Sequence, residues 1–159
     1  MSGGTATRAT RSAPRVAVSA EGVRSPVARA RLAEAAALVL RAEGARSSML
    51  SLTLLTPARM ARMNREHLGH AGATDVIAFG FRDPFGAVIG DVYLCPAVAS
   101  ANARRFKVPV REEVLRLVVH GTLHVLGHDH PAGEARTASP MWRRQERLLQ
   151  QVLRQVSRA

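Results

Sequence analysis

Apolar positions recur along the chain in two rhythms, and prolines mark where one gives way to the other. Five of the eight prolines stand where a helix is expected to begin, because Pro at the first helical position loses no intrahelical hydrogen bond and pre-sets φ. Ser25-Pro26 opens a helix running to about Ala42 and ended by Gly44, with Ala30, Leu32, Ala36, Leu38 and Leu40 supplying its apolar surface. Thr56-Pro57 opens a second that carries Met60 and Met63 at i, i+3 and stops near Leu68-Gly69. Pro96 opens a third through about Phe106, Pro109 a fourth through Leu126, and Ser139-Pro140 a fifth through about Val156. Between them lie β-type runs at residues 16–18, 49–55, 76–81 and 88–94.

The order reads β-α-β-α-β-β-α-α-α. Asp83-Pro84-Phe85-Gly86 is turn-rich, so the third and fourth runs are expected to pair as an antiparallel hairpin. An α+β domain follows, with a small mixed four-stranded sheet packed against helices, and 159 residues leave no room for a second full domain. Its bounds are expected at residues 15–159. Residues 1–14 carry Arg8 and Arg11 with no acid and read as a basic, disordered tail.

Composition narrows the class. The chain is 47% hydrophobic and 22% charged, which excludes wholesale disorder. Aromatics are only 4%, so the core must be built from Leu, Val, Ala and Met, and an aromatic platform for stacking bases is not expected. Lys+Arg 23 against Asp+Glu 12 gives +11, which points to a polyanionic partner such as nucleic acid; all the basic residues but Lys107 are arginine. The one cysteine, Cys95, excludes an intramolecular disulfide and fits a reducing, cytoplasmic setting, with Cys95 itself a small buried apolar residue. The strongly apolar run at residues 35–40 is far short of a bilayer span, so no membrane segment is expected.

The chemistry concentrates in His120-Gly121-Thr122-Leu123-His124-Val125-Leu126-Gly127-His128-Asp129-His130, which holds four of the six histidines. On a helix His120 and His124 stack on one face with Cβ atoms ~5–6 Å apart, close enough to share one metal ion. The third ligand must come from His128 or His130. In a continuing helix His128 would rise ~12 Å above His120, too far to share the ion. Gly127 instead favours the left-handed conformation that ends helices, which lets the chain double back and deliver His130. His130 is therefore the expected third ligand, with His128 kept as an alternative ligand or outer partner and Asp129 as an outer acceptor. Three imidazoles leave one tetrahedral position for a zinc-activated water, as catalytic sites require. The His-x3-His-x5-His spacing is that of the metzincin proteases, but those place Glu after the first His as general base, and here that position is Gly121. A metallopeptidase would lack its base, so metal-assisted cleavage of a phosphodiester matches the basic chain better.

These residues resemble the endoribonuclease YbeY family, whose signature is His-Gly-x-Leu-His-Leu-x-Gly-Tyr-Asp-His; Val125 and His128 are the two departures within it. Met63-Asn64-Arg65-Glu66, Thr74-Asp75-Val76-Ile77-Ala78-Phe79 and Gly90-Asp91-Val92-Tyr93-Leu94-Cys95 resemble further family segments, so the likeness covers roughly residues 50–150. The resemblance implies a metal-dependent, single-strand-selective endoribonuclease acting in 3′-end maturation of small-subunit rRNA and in ribosome quality control. It also implies a zincin-like metal-bearing helix, one Zn2+ on His120, His124 and His130, and the small ribosomal subunit with its assembly proteins as partners. Leu68 stands where many members place an arginine thought to be functional, the family's following Lys-Asp is His70-Ala71 here, and Ala73 and Gly80 replace prolines. Arg65, one turn before Leu68, is then the expected cationic catalytic group, with Arg59, Arg62 and His70 as substrate contacts. A second expectation is a ribosome assembly factor whose metal is structural and in which Leu68 marks lost catalysis.

Overall fold

The computed structural model describes residues 13–157. Four strands, β1 (Arg15–Glu21), β2 (Ser48–Leu55), β3 (Val76–Arg82) and β4 (Val88–Leu94), form one sheet in the order β1-β2-β4-β3. β1 runs parallel to β2 and β2 parallel to β4, while β3 and β4 form the antiparallel hairpin. Five helices accompany it: α1 (Arg29–Ala42), α2 (Pro57–Leu68), α3 (Pro96–Phe106), α4 (Val110–Val125) and α5 (Pro140–Ser157). The α+β class, the mixed sheet and the element order are those the sequence predicts. The basic tail expected over residues 1–14 falls, apart from its last two positions, outside the described residues.

The sheet's two faces follow from the period of two along its strands. Leu50, Leu52 and Leu54 of β2 and Val88, Val92 and Leu94 of β4 are buried in one core with Leu32, Val39 and Leu40 of α1, Val118 and Leu123 of α4, and Leu148 and Leu149 of α5. Each such side chain contributes roughly 1.5–3 kcal/mol by leaving water. A smaller cluster of Leu55, Met60, Ile77 and Cys95 lies under α2. Val76 and Ala78 pack on the first core and Ile77 on the second, so α2 covers the opposite face of the sheet from α4.

Helix α4 is buried along most of its length, and glycines set how closely it approaches the sheet. A Cβ on Gly121 would lie 2.7 Å from Val92 Cγ1. Gly80 and Gly90, paired across β3 and β4, leave the gap into which Val125 packs. These contacts pin the last turn of α4 to the hairpin.

Pro57, Pro96 and Pro140 begin their helices as predicted, and Pro109 stands one place earlier, as the N-cap of α4. Pro26 does not open α1. Ser25 Oγ hydrogen-bonds the carbonyl of Val27, whose side chain is anchored in the core, and the helix starts only after Ala28. The structure also adds a 3₁₀ segment, Gly133–Ala138, in which no residue is buried and which therefore has no apolar rhythm to read.

Candidate metal centre

The last turn of α4 ends in a Schellman motif: the His128 N–H donates to Leu123 O at 3.0 Å, the Gly127 N–H donates to His124 O at 3.0 Å, and Gly127 sits at φ +96°. The reversal delivers His130 to the face that carries His120 and His124. One nitrogen from each of the three imidazoles lies within 4.8 Å of the other two, and the ring centroids are 4.5–5.1 Å apart. The set is graded in burial, His120 being buried and the other two half-buried.

The tautomers follow from the acceptors around the cluster. His120 Nδ1 lies 2.6 Å from Gln145 Oε1, His124 Nδ1 lies 2.9 Å from the His128 carbonyl, and His130 Nδ1 lies 2.9 Å from the Pro131 carbonyl. Carbonyl oxygens only accept, so each Nδ1 carries the proton. The Gln145 amide is oriented by its own Nε2, which donates to Glu146 Oε2 at 3.3 Å. Each Nε2 is then left with a lone pair. His120 Nε2 and His124 Nε2 face one another at 3.0 Å. Relieving two opposed lone pairs takes either a second proton, making an imidazolium, or a cation between them. Protonation is opposed: burial pushes the His120 pKa down to about 4, with the charges of His124, Arg136 and His130 adding to it against the Gln145 hydrogen bond. His124 is lowered in the same way, by burial first and by the charge of His130 second. Three imidazole nitrogens, each ring oriented by a carbonyl, are the donor set that zinc and similar transition ions take.

Gln145 escapes the sequence reading, although a signal for it exists. Met141, Gln145, Leu148, Leu149 and Val152 form the buried stripe of α5, and a single amide in such a stripe needs a partner inside. Behind it, Glu146 accepts from Arg116 Nη2 at 3.1 Å, and Arg116 Nη1 donates to Glu113 Oε2 at 2.9 Å. Burial raises the Glu113 pKa, with Arg116 opposing. Burial also works against the Arg116 charge, but Glu146 and Glu113 outweigh it.

The remaining sequence-predicted residues fall elsewhere. The His128 ring faces Glu43, with Nε2 3.6 Å from Oε2, and only its backbone carbonyl reaches the cluster. Asp129 Oδ1 accepts from the His130 N–H at 2.9 Å, steadying the returning chain. Arg59 pairs with Glu21 and Arg62 with Glu66 on the outer surface of α2, and Arg65, Leu68 and His70 are exposed beyond them. None of Arg59, Arg62, Arg65 and His70 lines the cavity of about 630 Å3 that opens beside His120 and Gln145. That cavity instead reaches Thr74 and Asp75, at the end of the loop that Asn64 holds by donating from Nδ2 to Gly72 O at 2.9 Å. Gly121 packs on Val92 with no space for a larger residue, so the helix has no room for a carboxylate base after His120.

Comparison with known proteins agrees with this architecture. The sequence model of the family described as Endoribonuclease YbeY matches residues 19–153. The curated Endoribonuclease YbeY of Chlorobaculum parvum is 37% identical over 121 residues, covering 76% of this chain and 84% of its own. That of Chlorobaculum tepidum is 37% identical over 107 residues, covering 67% and 77%. The solution structure of TM1509 from Thermotoga maritima superposes with a TM-score of 0.59 at 24% identity, over 89% of this chain and 91% of that one, and so shares the fold. With a family match across most of its length and relatives of this identity, the chain belongs to the endoribonuclease YbeY family.

Proposed function

We propose that this chain is a metal-dependent endoribonuclease acting on single-stranded RNA, with His120, His124 and His130 holding one zinc ion and the 3′ region of small-subunit rRNA as its target. The observation that carries the reading is the pair of Nε2 lone pairs on His120 and His124, opposed at 3.0 Å with each ring fixed by an Nδ1 hydrogen bond, where burial works against protonation. When bound, the ion supplies Lewis-acid stabilisation of phosphate charge and a lowered pKa for an attacking water. The residues of the chain do the rest. Gln145 and the His128 and Pro131 carbonyls hold the imidazoles in their ligating tautomers, and the Schellman turn holds His130 against the helix face. The family supports RNA as substrate, and the +11 charge supports attraction to it. Among the described residues no helix is long and apolar enough to cross a membrane, and a cytoplasmic role beside the small ribosomal subunit and in its quality control belongs to this reading.

The test is cleavage of a small-subunit rRNA precursor fragment by purified protein beside His124→Ala, both analysed for metal and checked for folding by circular dichroism. The wild type is expected to carry about one metal per chain and to cut, and the folded variant to do neither. A metal-replete wild type that leaves the fragment intact would favour the second reading, a ribosome assembly factor with a structural metal. The observation on that side is Leu68, an exposed apolar side chain on the segment where the family resemblance leads one to look for a guanidinium.

A further inference from the structure

The cavity beside the histidine cluster contains an arginine whose bonding is incomplete. Arg136 lies in the 3₁₀ segment, where its backbone carbonyl accepts from both the N–H and the Oγ–H of Ser139, at 3.2 and 2.7 Å. Ser139 Oγ in turn accepts from the Trp142 N–H at 3.1 Å, so the segment is tied to the first turn of α5. Its guanidinium carbon stands 5.8 Å from the centre of the Trp142 ring, a cation–π arrangement. Arg136 Nε is buried and has no hydrogen-bond partner, and the side chain has no carboxylate partner among the described residues. The carboxylates lining the same cavity are otherwise engaged: Asp75 Oδ2 accepts from Asn102 Nδ2 at 3.1 Å, and Glu113 holds Arg116. A buried, charged N–H without an acceptor is destabilising, and neither the Trp142 face nor any carboxylate among the described residues meets that demand. The Arg136 charge also acts on His120 and His124, lowering both, which puts it within electrostatic reach of the metal centre.

We propose that Arg136 is a substrate-contacting residue: its guanidinium, lying on Trp142, binds a phosphate of the RNA strand whose scissile linkage is held at the histidine cluster. The inference rests on the endoribonuclease reading. Guanidinium offers Nε–H and Nη–H as a planar fork that matches two phosphate oxygens, and it stays charged throughout the working pH range. Arg136 lines the cavity, so a phosphate entering it meets a guanidinium that has no carboxylate partner among the described residues, and a shift of the side chain brings the enclosed Nε–H to it as well. Arg105, the other cavity arginine without a carboxylate partner among the described residues, is exposed and lies over Phe106, so it has no comparable unmet demand.

The experiment uses metal-loaded wild type, Arg136→Met, Arg136→Lys and, as a charge control, Arg154→Met near the other end of α5. Affinity for a single-stranded 2′-O-methyl oligonucleotide is measured by fluorescence anisotropy across a salt series, and kcat/KM on the cleavable RNA is measured in parallel. Arg136→Met keeps an apolar stem against Trp142 and is expected to lose about tenfold to a hundredfold in kcat/KM. Its plot of log affinity against log salt should be shallower by ~0.7, the signature of one lost phosphate contact on a single strand. Arg136→Lys should keep the slope and recover only part of the rate, because it restores charge without the fork. Arg154→Met should behave as wild type. Wild-type affinity, slope and rate in Arg136→Met would overturn the assignment while leaving the endoribonuclease reading intact. A lost rate with unchanged affinity and slope would also overturn it, by showing a structural role. A metal-loaded wild type that neither binds nor cuts RNA would overturn the underlying reading, and this inference with it.

Discussion

The two faces of the sheet carry arginine in opposite circumstances. On the α2 face Arg59 and Arg62 have their own carboxylates, Glu21 and Glu66, and all four side chains are open to water. Pairs of this kind are worth ~0–1 kcal/mol and are screened by salt. On the α4 face Arg116 is enclosed by Glu112, Glu113 and Glu146, and its charge is spent on bracing the helix pair that holds His120 and Gln145. On the same cavity Arg136 has an aromatic shelf and, among the described residues, no carboxylate. What separates Arg136 from Arg59, Arg62 and Arg116 is therefore that its bonding is incomplete where it lies. The formal charge of the chain, summed over both, is blind to that difference.

If the cavity face is the working one, breaking its internal polar chain should have a large effect. Gln145→Leu removes the acceptor of His120 Nδ1–H, frees the imidazole to change tautomer, and is expected to weaken metal affinity by ~10–100-fold. Gln145→Glu restores an acceptor and should recover most of it. Chelator competition on folded protein reads both, and unchanged affinity in Gln145→Leu would show that the hydrogen bond does not orient the ligand.

Acid should find the same face next. In metal-free protein the His120 pKa is about 4 against 6.5 in the unfolded chain. As pH falls through 6.5 the unfolded chain takes up a proton that the folded chain refuses until about 4, so the stability this group contributes is whole above 6.5 and is lost over that interval. His124 acts in the same direction. The urea midpoint of the metal-free protein should therefore fall between pH 7.5 and about 4.5, by an amount worth a few kcal/mol. Metal-free His120→Asn should show a smaller fall, and a midpoint as acid-sensitive as wild type would place the titration elsewhere.

The sequence made the scaffold legible because local rules and packing agree on it: Pro57, Pro96 and Pro140 do begin helices, and β3 and β4 do pair across their turn-rich loop. It made the histidine cluster legible because Gly127 forces the chain reversal within six residues of His124, so spacing alone carries the geometry. Gln145 and Arg136 are not legible in the sequence because they reach the site from the far side of a tertiary contact, α5 against α4 and a 3₁₀ turn against Trp142. Pro26 misled for a related reason: burial of Val27 decided the local backbone over the proline rule.

The smallest expected effect is also the sharpest test of the contrast between the faces. Arg65 is exposed on α2, with no ion pair among the described residues, so by charge alone it is as available to RNA as Arg136. Its guanidinium, however, lies in open solvent, where at ~0.15 M salt a charge is felt over only ~8 Å and an ion contact must offset the entropy of ordering a long side chain. Arg65→Met should therefore change kcat/KM by no more than about twofold and thermal stability by less than ~0.5 kcal/mol, whereas Arg136→Met loses rate and salt slope together. Equal losses in the two variants would mean that RNA crosses both faces of the sheet. A loss confined to Arg65→Met would place the catalytic cation on α2, where its spacing one turn before Leu68 first suggested it.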